Sequence, residues 1–151
     1  MRYSYLLLLL VTLVFPACKD DVPEISSTTF AASLGVDLAA FTKTPTGLYY
    51  RDVTVGTGAL VASGQTVAVH YAGALPNGTQ FDANVAPAAP FSFQLGAGTV
   101  IKGFDEGVAG MHVGGRRVLL VPPSLGYGAE AVGSIPKNSI LWFDVQVVSA
   151  S

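Results

Sequence analysis

Apolar and polar positions alternate along one stretch clearly enough to predict a β-strand. In residues 66–75, TVAVHYAGAL, the side chains of Val67, Val69 and Tyr71 fall on one face and His70 falls on the other. A period of two is the pattern of a strand with one buried face. The stretch therefore predicts a half-buried strand that presents Tyr71 to the interior.

Four more segments have the β-branched and aromatic character of strands. They are residues 47–55, 91–95, 116–121 and 140–148. In the last of them, Phe143 points to the same side as its apolar neighbours and Trp142 points to the opposite side. Asn77-Gly78 predicts a hairpin turn after the strand at residues 66–75, because both residue types tolerate positive φ.

One helix interrupts the strands, at residues 102–111, KGFDEGVAGM. Phe104, Val108 and Met111 recur at i, i+4 and i+7, which predicts one buried stripe. The glycines lower its intrinsic stability, so the helix needs a sheet to pack against. Several strands with one short helix predict an α+β domain, in which a half-open antiparallel sheet wraps the helix and leaves a pocket between them.

The first 17 residues have the layout of a signal peptide. Arg2 precedes an apolar stretch over residues 6–15, and Ala17 stands directly before Cys18. The segment VFPAC resembles the lipoprotein box of bacteria, which implies cleavage before Cys18, lipid attachment to its thiol and anchorage to a membrane outside the cytoplasm. An ordinary secretory signal that leaves an unmodified thiol is the alternative.

Residues 18–45 are expected to tether and lead into a domain at residues 46–151. Residues 19–29 are mostly polar, as in a flexible linker. Further on, Phe30, Leu34, Leu38 and Phe41 recur at helical spacing, although a glycine interrupts them. A short helix that packs on the domain and an extended lead-in both remain open for this part.

Composition narrows the classes of function. The chain has 151 residues, half of them hydrophobic, and a single cysteine, which excludes an internal disulfide. Its two histidines, His70 and His112, are far apart, so no cluster of metal ligands is expected. The formal net charge of −2 argues against a nucleic-acid partner, which would require a basic surface.

The motifs of nucleophilic and nucleotide chemistry are missing from the sequence. It contains no Gly-x-Ser-x-Gly, and GTGALVASG lacks the Gly-Lys-Ser/Thr ending of a phosphate-binding loop. The remaining candidates are aromatic and aliphatic side chains with Asp82 beside them. No lysine or arginine occurs between Arg51 and Lys102, so Asp82 has no basic neighbour in sequence.

Three long motifs resemble the FK506-binding-protein (FKBP) type of peptidyl-prolyl cis-trans isomerase. They are VAVHYAGALPNGTQFD, PFSFQLGAGTVIKGFDEGVAGMHVGGRRVLLVPPSLGYG and IPKNSILWFDVQVV, and together they cover most of residues 46–149 in the family's order. The resemblance implies an FKBP-like sheet of five or six antiparallel strands curled around one helix. It also implies isomerisation of Xaa-Pro bonds without a cofactor, proline-containing polypeptides as substrates and FK506-type macrolides as ligands.

The resemblance also assigns roles to individual residues. The expected catalytic residues are Tyr71, Phe81, Asp82 and Tyr127. The expected substrate-binding residues are Phe91, Val100, Ile101, Phe104, Ile135 and Phe143, with Phe104 as the floor. In the family, the backbone amide at the position of Ile101 and the hydroxyl at that of Tyr127 bind ligand, the aspartate contacts the tyrosine at the position of Tyr71, and SLGYG…SIP forms a flap over the pocket.

Two positions depart from the family's pattern. Phe104 stands where tryptophan is common, and Pro87 stands where a basic residue often supports the aspartate. The sequence as a whole therefore predicts a monomeric, lipid-anchored prolyl isomerase that assists protein folding outside the cytoplasm. The competing interpretations are a non-catalytic peptide-binding or chaperone module on the same fold, and a purely structural surface lipoprotein.

Overall fold

The structure, a computed structural model, describes residues 22–151. The expected signal peptide at residues 1–17 and the expected lipidation site Cys18 lie outside the described residues. In chain order the elements are β1 (Thr42–Lys43), β2 (Tyr49–Thr54), β3 (Thr66–Ala74), β4 (Gln80–Asn84), β5 (Phe91–Gln94), α1 (Lys102–Val108), β6 (Arg116–Val121) and β7 (Leu141–Ala150). Four short 3-10 turns lie at Ile25–Ser27, Ala32–Leu34, Leu38–Ala40 and Pro123–Leu125.

The strands form one antiparallel sheet in the order β1-β2-β6-β7-β3-β4, and β5 also pairs with β3. The expected α+β architecture, an open sheet around one short helix, is confirmed. The sheet has seven strands rather than the expected five or six. The difference arises at the edges, where β1 is only two residues long and β4 and β5 pair with successive parts of β3.

The alternation read from the sequence is confirmed in β3 and β7. Val67 and Val69 are fully buried, and in β7 the side chains of Leu141, Phe143 and Val145 are buried. These rows of side chains face α1. Burial between the sheet and the helix removes the apolar side chains from water, which supplies the main favourable free energy of folding. The hairpin predicted at Asn77-Gly78 is also present, with Gly78 at φ 87°.

The helix α1 ends at Val108, three residues before the predicted end, since the chain turns at Ala109 and Gly110. Phe104, Val108 and Met111 are nonetheless all buried, as their spacing predicted. The glycines of α1 let it approach β6 closely. A Cβ on Gly107 would lie 2.5 Å from Leu119 Cδ1, which is a steric clash.

A second hydrophobic cluster lies on the face of the sheet opposite to α1. There Ile25, Leu120 and Ile140 are almost fully buried. The partly buried side chains around them are Phe30, Val36, Leu38, Phe41, Tyr49 and Trp142. We call residues 22–41 the N-terminal arm; its 3-10 turns and apolar side chains cover this face of the sheet.

Residues 30–41 of the arm pack on the sheet, as one of the two interpretations of their sequence had it, but they do not form one α-helix. Leu34 and Leu38 lie in two separate 3-10 turns, and Phe30 lies outside both. Within the expected tether, most of residues 22–29 are exposed, but Ile25 is 4% exposed and packs on the sheet. The Ala31 amide donates to the Pro76 carbonyl at 2.8 Å, so the arm also reaches the β3–β4 hairpin.

Within residues 22–151, no helix is both long enough and apolar enough to cross a bilayer.

Candidate functional site

A cavity of about 440 Å³ opens between α1, the concave face of the sheet and the segment after β6. All ten predicted site residues line it: Tyr71, Phe81, Asp82, Phe91, Val100, Ile101, Phe104, Tyr127, Ile135 and Phe143. Four further lining residues were not predicted: Thr99, Val132, Gly133 and Ser134. A volume of this size is typical of small-ligand pockets.

Phe104 forms the floor of the cavity, as the resemblance implied. Its side chain is 4% exposed, and its ring packs edge-on against Phe143 and Tyr71 at centroid distances of 5.4 and 5.8 Å. Phe93 supports it from below at 5.6 Å and is itself buried, so it belongs to the core and not to the lining of the cavity. Edge-to-face packing of this kind stabilises each ring in one orientation.

Phe81 on β4 forms one wall, with its ring edge-on to Phe143 at 5.5 Å. The ring fits there because Gly73 on β3 has no side chain. A Cβ at Gly73 would lie 2.7 Å from two ring atoms of Phe81 and 2.9 Å from Phe143. The opposite rim is Phe91, which is 38% exposed and stacks on Phe93.

Tyr71 and Asp82 form the polar edge of the cavity. The Tyr71 hydroxyl donates a hydrogen bond of 2.6 Å to Asp82 Oδ2. Burial, then the hydrogen bond to Asp82 and the negative charge of that carboxylate, raise the pKa of the Tyr71 hydroxyl far above its usual value. Asp82 has no basic neighbour in sequence, and the Tyr71 phenol holds it instead by donating this hydrogen bond.

The raised pKa of Tyr71 predicts a loss of stability at high pH. The folded protein keeps the Tyr71 proton where the unfolded chain releases it, so the contribution is complete below pH of about 10 and falls as the pH rises above that value. The free energy of unfolding should decline less steeply between pH of about 9 and 11 in Tyr71→Phe than in the wild type. The free energy of unfolding is measured by urea titration at each pH. An equal decline with pH in Tyr71→Phe and in the wild type would contradict this prediction.

The loop before α1 is held by Asp105. Its carboxylate accepts hydrogen bonds from the amides of Gly96 and Gly98, at 3.0 and 3.2 Å. Asp105 lies in the first turn of α1, where the helix dipole favours negative charge. Its two bonds to the loop also fix the segment that carries Val100 and Ile101 into the cavity.

The Ile101 amide and the Tyr127 hydroxyl, the two donors that the resemblance assigned to ligand binding, have no hydrogen-bond partner in the described part of the protein. The Ile101 amide precedes α1, where the first amides of a helix lack intrahelical acceptors, and it donates to none of residues 22–151. The Tyr127 hydroxyl likewise makes no hydrogen bond with these residues. Both donors are available to a ligand in the cavity.

The segment at residues 122–136 forms a flap beside the cavity. It begins with the 3-10 turn Pro123–Leu125 and closes with a bridge between Val132 and Ile135. Ile135 is 6% exposed, whereas Val132 at the tip is 41% exposed. The flap therefore presents Tyr127 and an apolar tip to anything that enters.

His70 and Trp142 lie away from the site, as their positions in the strand patterns predicted. His70 points to the other face of β3, and its Nδ1 lies 3.1 Å from Asn84 Oδ1. Arg117 pairs with Asp52 at 2.7 Å, and Trp142 belongs to the cluster under the N-terminal arm. In residues 22–151, no group of three or more His, Cys, Asp or Glu side chains is placed to hold a metal ion.

The geometry agrees with comparisons to known proteins. A family model described as FKBP-type peptidyl-prolyl cis-trans isomerase matches residues 58–148. FK506-binding protein 3 of Candida albicans is 50% identical over 103 residues, which are 68% of this chain and 24% of that protein. FK506-binding protein 2 of Dictyostelium discoideum is 49% identical over 68% of this chain and 76% of its own length.

A solved structure supports the same assignment. The crystal structure of FkpA from Escherichia coli superposes with a TM-score of 0.69 and 38% identity, over 74% of this chain and 52% of that one. The chain therefore belongs to the FKBP-type peptidyl-prolyl cis-trans isomerase family. It spans about a quarter of the length of several of its curated relatives, including the Candida albicans protein.

Proposed function

We propose that this protein catalyses cis-trans rotation of Xaa-Pro bonds in polypeptides, within the cavity between α1 and the sheet. The observation that carries the proposal is the cavity itself, with its aromatic walls and with the unpartnered Ile101 amide and Tyr127 hydroxyl. Family membership supports the same activity. The four predicted catalytic residues keep the roles that the resemblance implies as part of this proposal.

An apolar cleft suits this reaction because rotation about the amide bond neither forms nor breaks a covalent bond. Rotation is slow since amide resonance imposes a barrier of about 20 kcal/mol. Resonance and much of the carbonyl dipole are lost in the twisted transition state. Aromatic walls that grip the proline ring and exclude water therefore favour the twisted amide over the planar one.

The polar groups at the cavity edge complete the mechanism. The Ile101 amide and Tyr127 hydroxyl are placed to fix the carbonyl groups of the substrate, and Tyr71 and Asp82 hold one another at the polar edge of the cavity. A millionfold acceleration requires roughly 8 kcal/mol of preferential binding to the transition state. No proton transfer is needed, which agrees with a site built mainly from hydrocarbon.

The test is isomerisation of short Xaa-Pro peptides by a chain of residues 19–151, with and without an FK506-type macrolide. Phe81→Ala should lower kcat/KM at least tenfold and Tyr127→Phe should lower it less. Phe41 is a partly buried aromatic residue of the N-terminal arm, away from the cavity, so Phe41→Ala is the matched control and should keep its activity. Absence of catalysis in a folded wild type that still binds the peptides would assign a non-catalytic binding module instead.

We further propose that Cys18 is lipidated and anchors a monomer to a bacterial membrane on its extracytoplasmic side. The support is the sequence of residues 1–18 alone, since the family match begins at residue 58. Mass spectrometry of the mature protein tests the anchor. A mature N-terminus at Cys18 that carries acyl chains is the expected result, and an unmodified thiol would contradict it.

A further inference from the structure

The candidate site carries one formal charge. Of the fourteen residues that line the cavity, Asp82 alone is charged at neutral pH. The others are aromatic, aliphatic, hydroxyl-bearing or glycine. Whatever enters the cavity therefore meets a single carboxylate in otherwise uncharged surroundings.

The described chain supplies no cation to this carboxylate. Its two ion pairs between basic and acidic side chains, Arg116 with Asp144 and Arg117 with Asp52, lie elsewhere in the sheet. Asp82 instead accepts a hydrogen bond from a neutral group, the Tyr71 hydroxyl, through Oδ2. Oδ1 makes no hydrogen bond within residues 22–151 and is left for a ligand.

The sequence around the site explains why the charge stays unbalanced. No lysine or arginine occurs between Arg51 and Lys102, so β3, β4, β5 and the loop before α1 contain neither residue. Lys102 and Lys137 adjoin the loop and the flap, but neither side chain lines the cavity. The one imidazole in this region, His70, points to the opposite face of β3.

A basic side chain on the substrate would contact both Asp82 and the exposed apolar residues at the rim of the cavity. Its charge would be attracted to Asp82, by about threefold in affinity at a separation of about 6 Å even with the dielectric constant of water. Its aliphatic stem would pack on exposed apolar residues, because long basic side chains cover apolar surface with their methylene groups. Phe91 and Val132, which are 38% and 41% exposed and line the cavity, offer that surface.

We propose that Asp82 makes the protein select Xaa-Pro segments with a lysine or arginine next to the proline, and reject those with an acidic neighbour. The inference rests on the proposed function, since it specifies the substrates of the same cavity. Asp82 thereby acts as a specificity-determining residue in addition to its contact with Tyr71.

The test compares capped peptides that differ only beside the proline, with Lys, Gln or Glu placed before it in one series and after it in another. Exchange between cis and trans forms is measured by NMR with the full-length protein in a non-ionic detergent, which adds no charge. In at least one series the wild type should process the Lys peptide about tenfold better in kcat/KM than the Glu peptide at low salt. The Gln peptide should lie between them, and about 0.5 M NaCl should shrink the ratio.

Two variants decide whether Asp82 causes the preference for the Lys peptide over the Glu peptide. Asp82→Asn keeps an acceptor for Tyr71 and removes the charge, so the Lys/Glu ratio should approach one even where the absolute rate falls. Glu106→Gln removes an equal charge that is bonded to Thr46 away from the cavity, and should leave the ratio unchanged. Wild-type ratios near one in both series, or a ratio that survives Asp82→Asn, would overturn the proposal.

The same peptides separate this inference from the proposed function. Lack of turnover with every peptide would refute the enzymatic activity. Affinities from chemical-shift titrations of the Lys and Glu peptides would then decide the charge preference by the same criteria.

Discussion

Replacing Ile25 with alanine should lower the free energy of unfolding by about 2–4 kcal/mol, the usual cost of deleting a buried aliphatic side chain. Ile25 is 4% exposed and packs with Leu120 and Ile140 on the face of the sheet opposite to α1. Urea unfolding of a chain of residues 19–151, followed by circular dichroism, measures the loss. Such a loss would show that the N-terminal arm is part of the folded domain.

Val22→Ala is the matched control for Ile25. Val22 lies in the same segment but is 52% exposed, so its truncation should change the free energy of unfolding by no more than about 0.5 kcal/mol. Equal effects of the two substitutions would contradict the packing of the arm. Activity per folded molecule should be unchanged in both, because the arm covers the face away from the cavity.

Adding one methyl group at Gly73 should lower kcat/KM for Xaa-Pro peptides at least tenfold. The new Cβ of Gly73→Ala would lie 2.7 Å from the Phe81 ring, which must leave the cavity wall. Phe81 is only partly buried, so its ring can swing outward and the cost in stability should be modest, about 1–2 kcal/mol. The variant should therefore remain folded while it loses activity.

A double-mutant cycle tests this explanation. In a Phe81→Ala background the main clash is gone, so Gly73→Ala should cause a much smaller further loss of kcat/KM than it causes in the wild type. Additive losses would mean that Gly73→Ala acts through another contact, such as the one 2.9 Å from Phe143.

The sequence predicted the sheet and the helix well because their patterns are local. Alternation in β3 and β7 follows directly from one buried face, and the stripe of Phe104 and Val108 follows from the pitch of a helix. The aromatic site could not be obtained from these patterns alone. Periodicity does not distinguish Phe81 at the cavity wall from Phe93 in the core, and the order of the family's motifs supplied that distinction.

The packing of the first part of the N-terminal arm, around Ile25, was not predicted because its signals are sparse. Ile25 is one apolar residue among polar neighbours, and nothing local indicates that it packs with Leu120 and Ile140, which are far away in sequence. The recurrence of Phe30, Leu34 and Leu38 mimicked a helix, although a 3-10 turn can also bring such residues to one surface. Packing against the sheet decided the outcome.

Contacts that depend on the close approach of two backbone segments could not be predicted from the sequence either. Glycines in α1 suggested a weak helix, whereas at Gly107 the missing side chain is what admits Leu119. Asp105 suited the helix dipole, and its bonds to Gly96 and Gly98 required knowledge of the loop's path. Thr99 and the flap tip at Val132 reach the cavity only through that kind of long-range folding.

The position of Trp142 has a spectroscopic consequence. It is the chain's one tryptophan, and its indole lies beneath the N-terminal arm, with Nε1 buried and without a hydrogen-bond partner in the described residues. Detachment of the arm would wet the indole and shift its fluorescence emission to longer wavelength. Filling of the cavity on the other side of the sheet should leave that emission almost unchanged, so one fluorophore reports the arm and calorimetry or NMR must report the ligand.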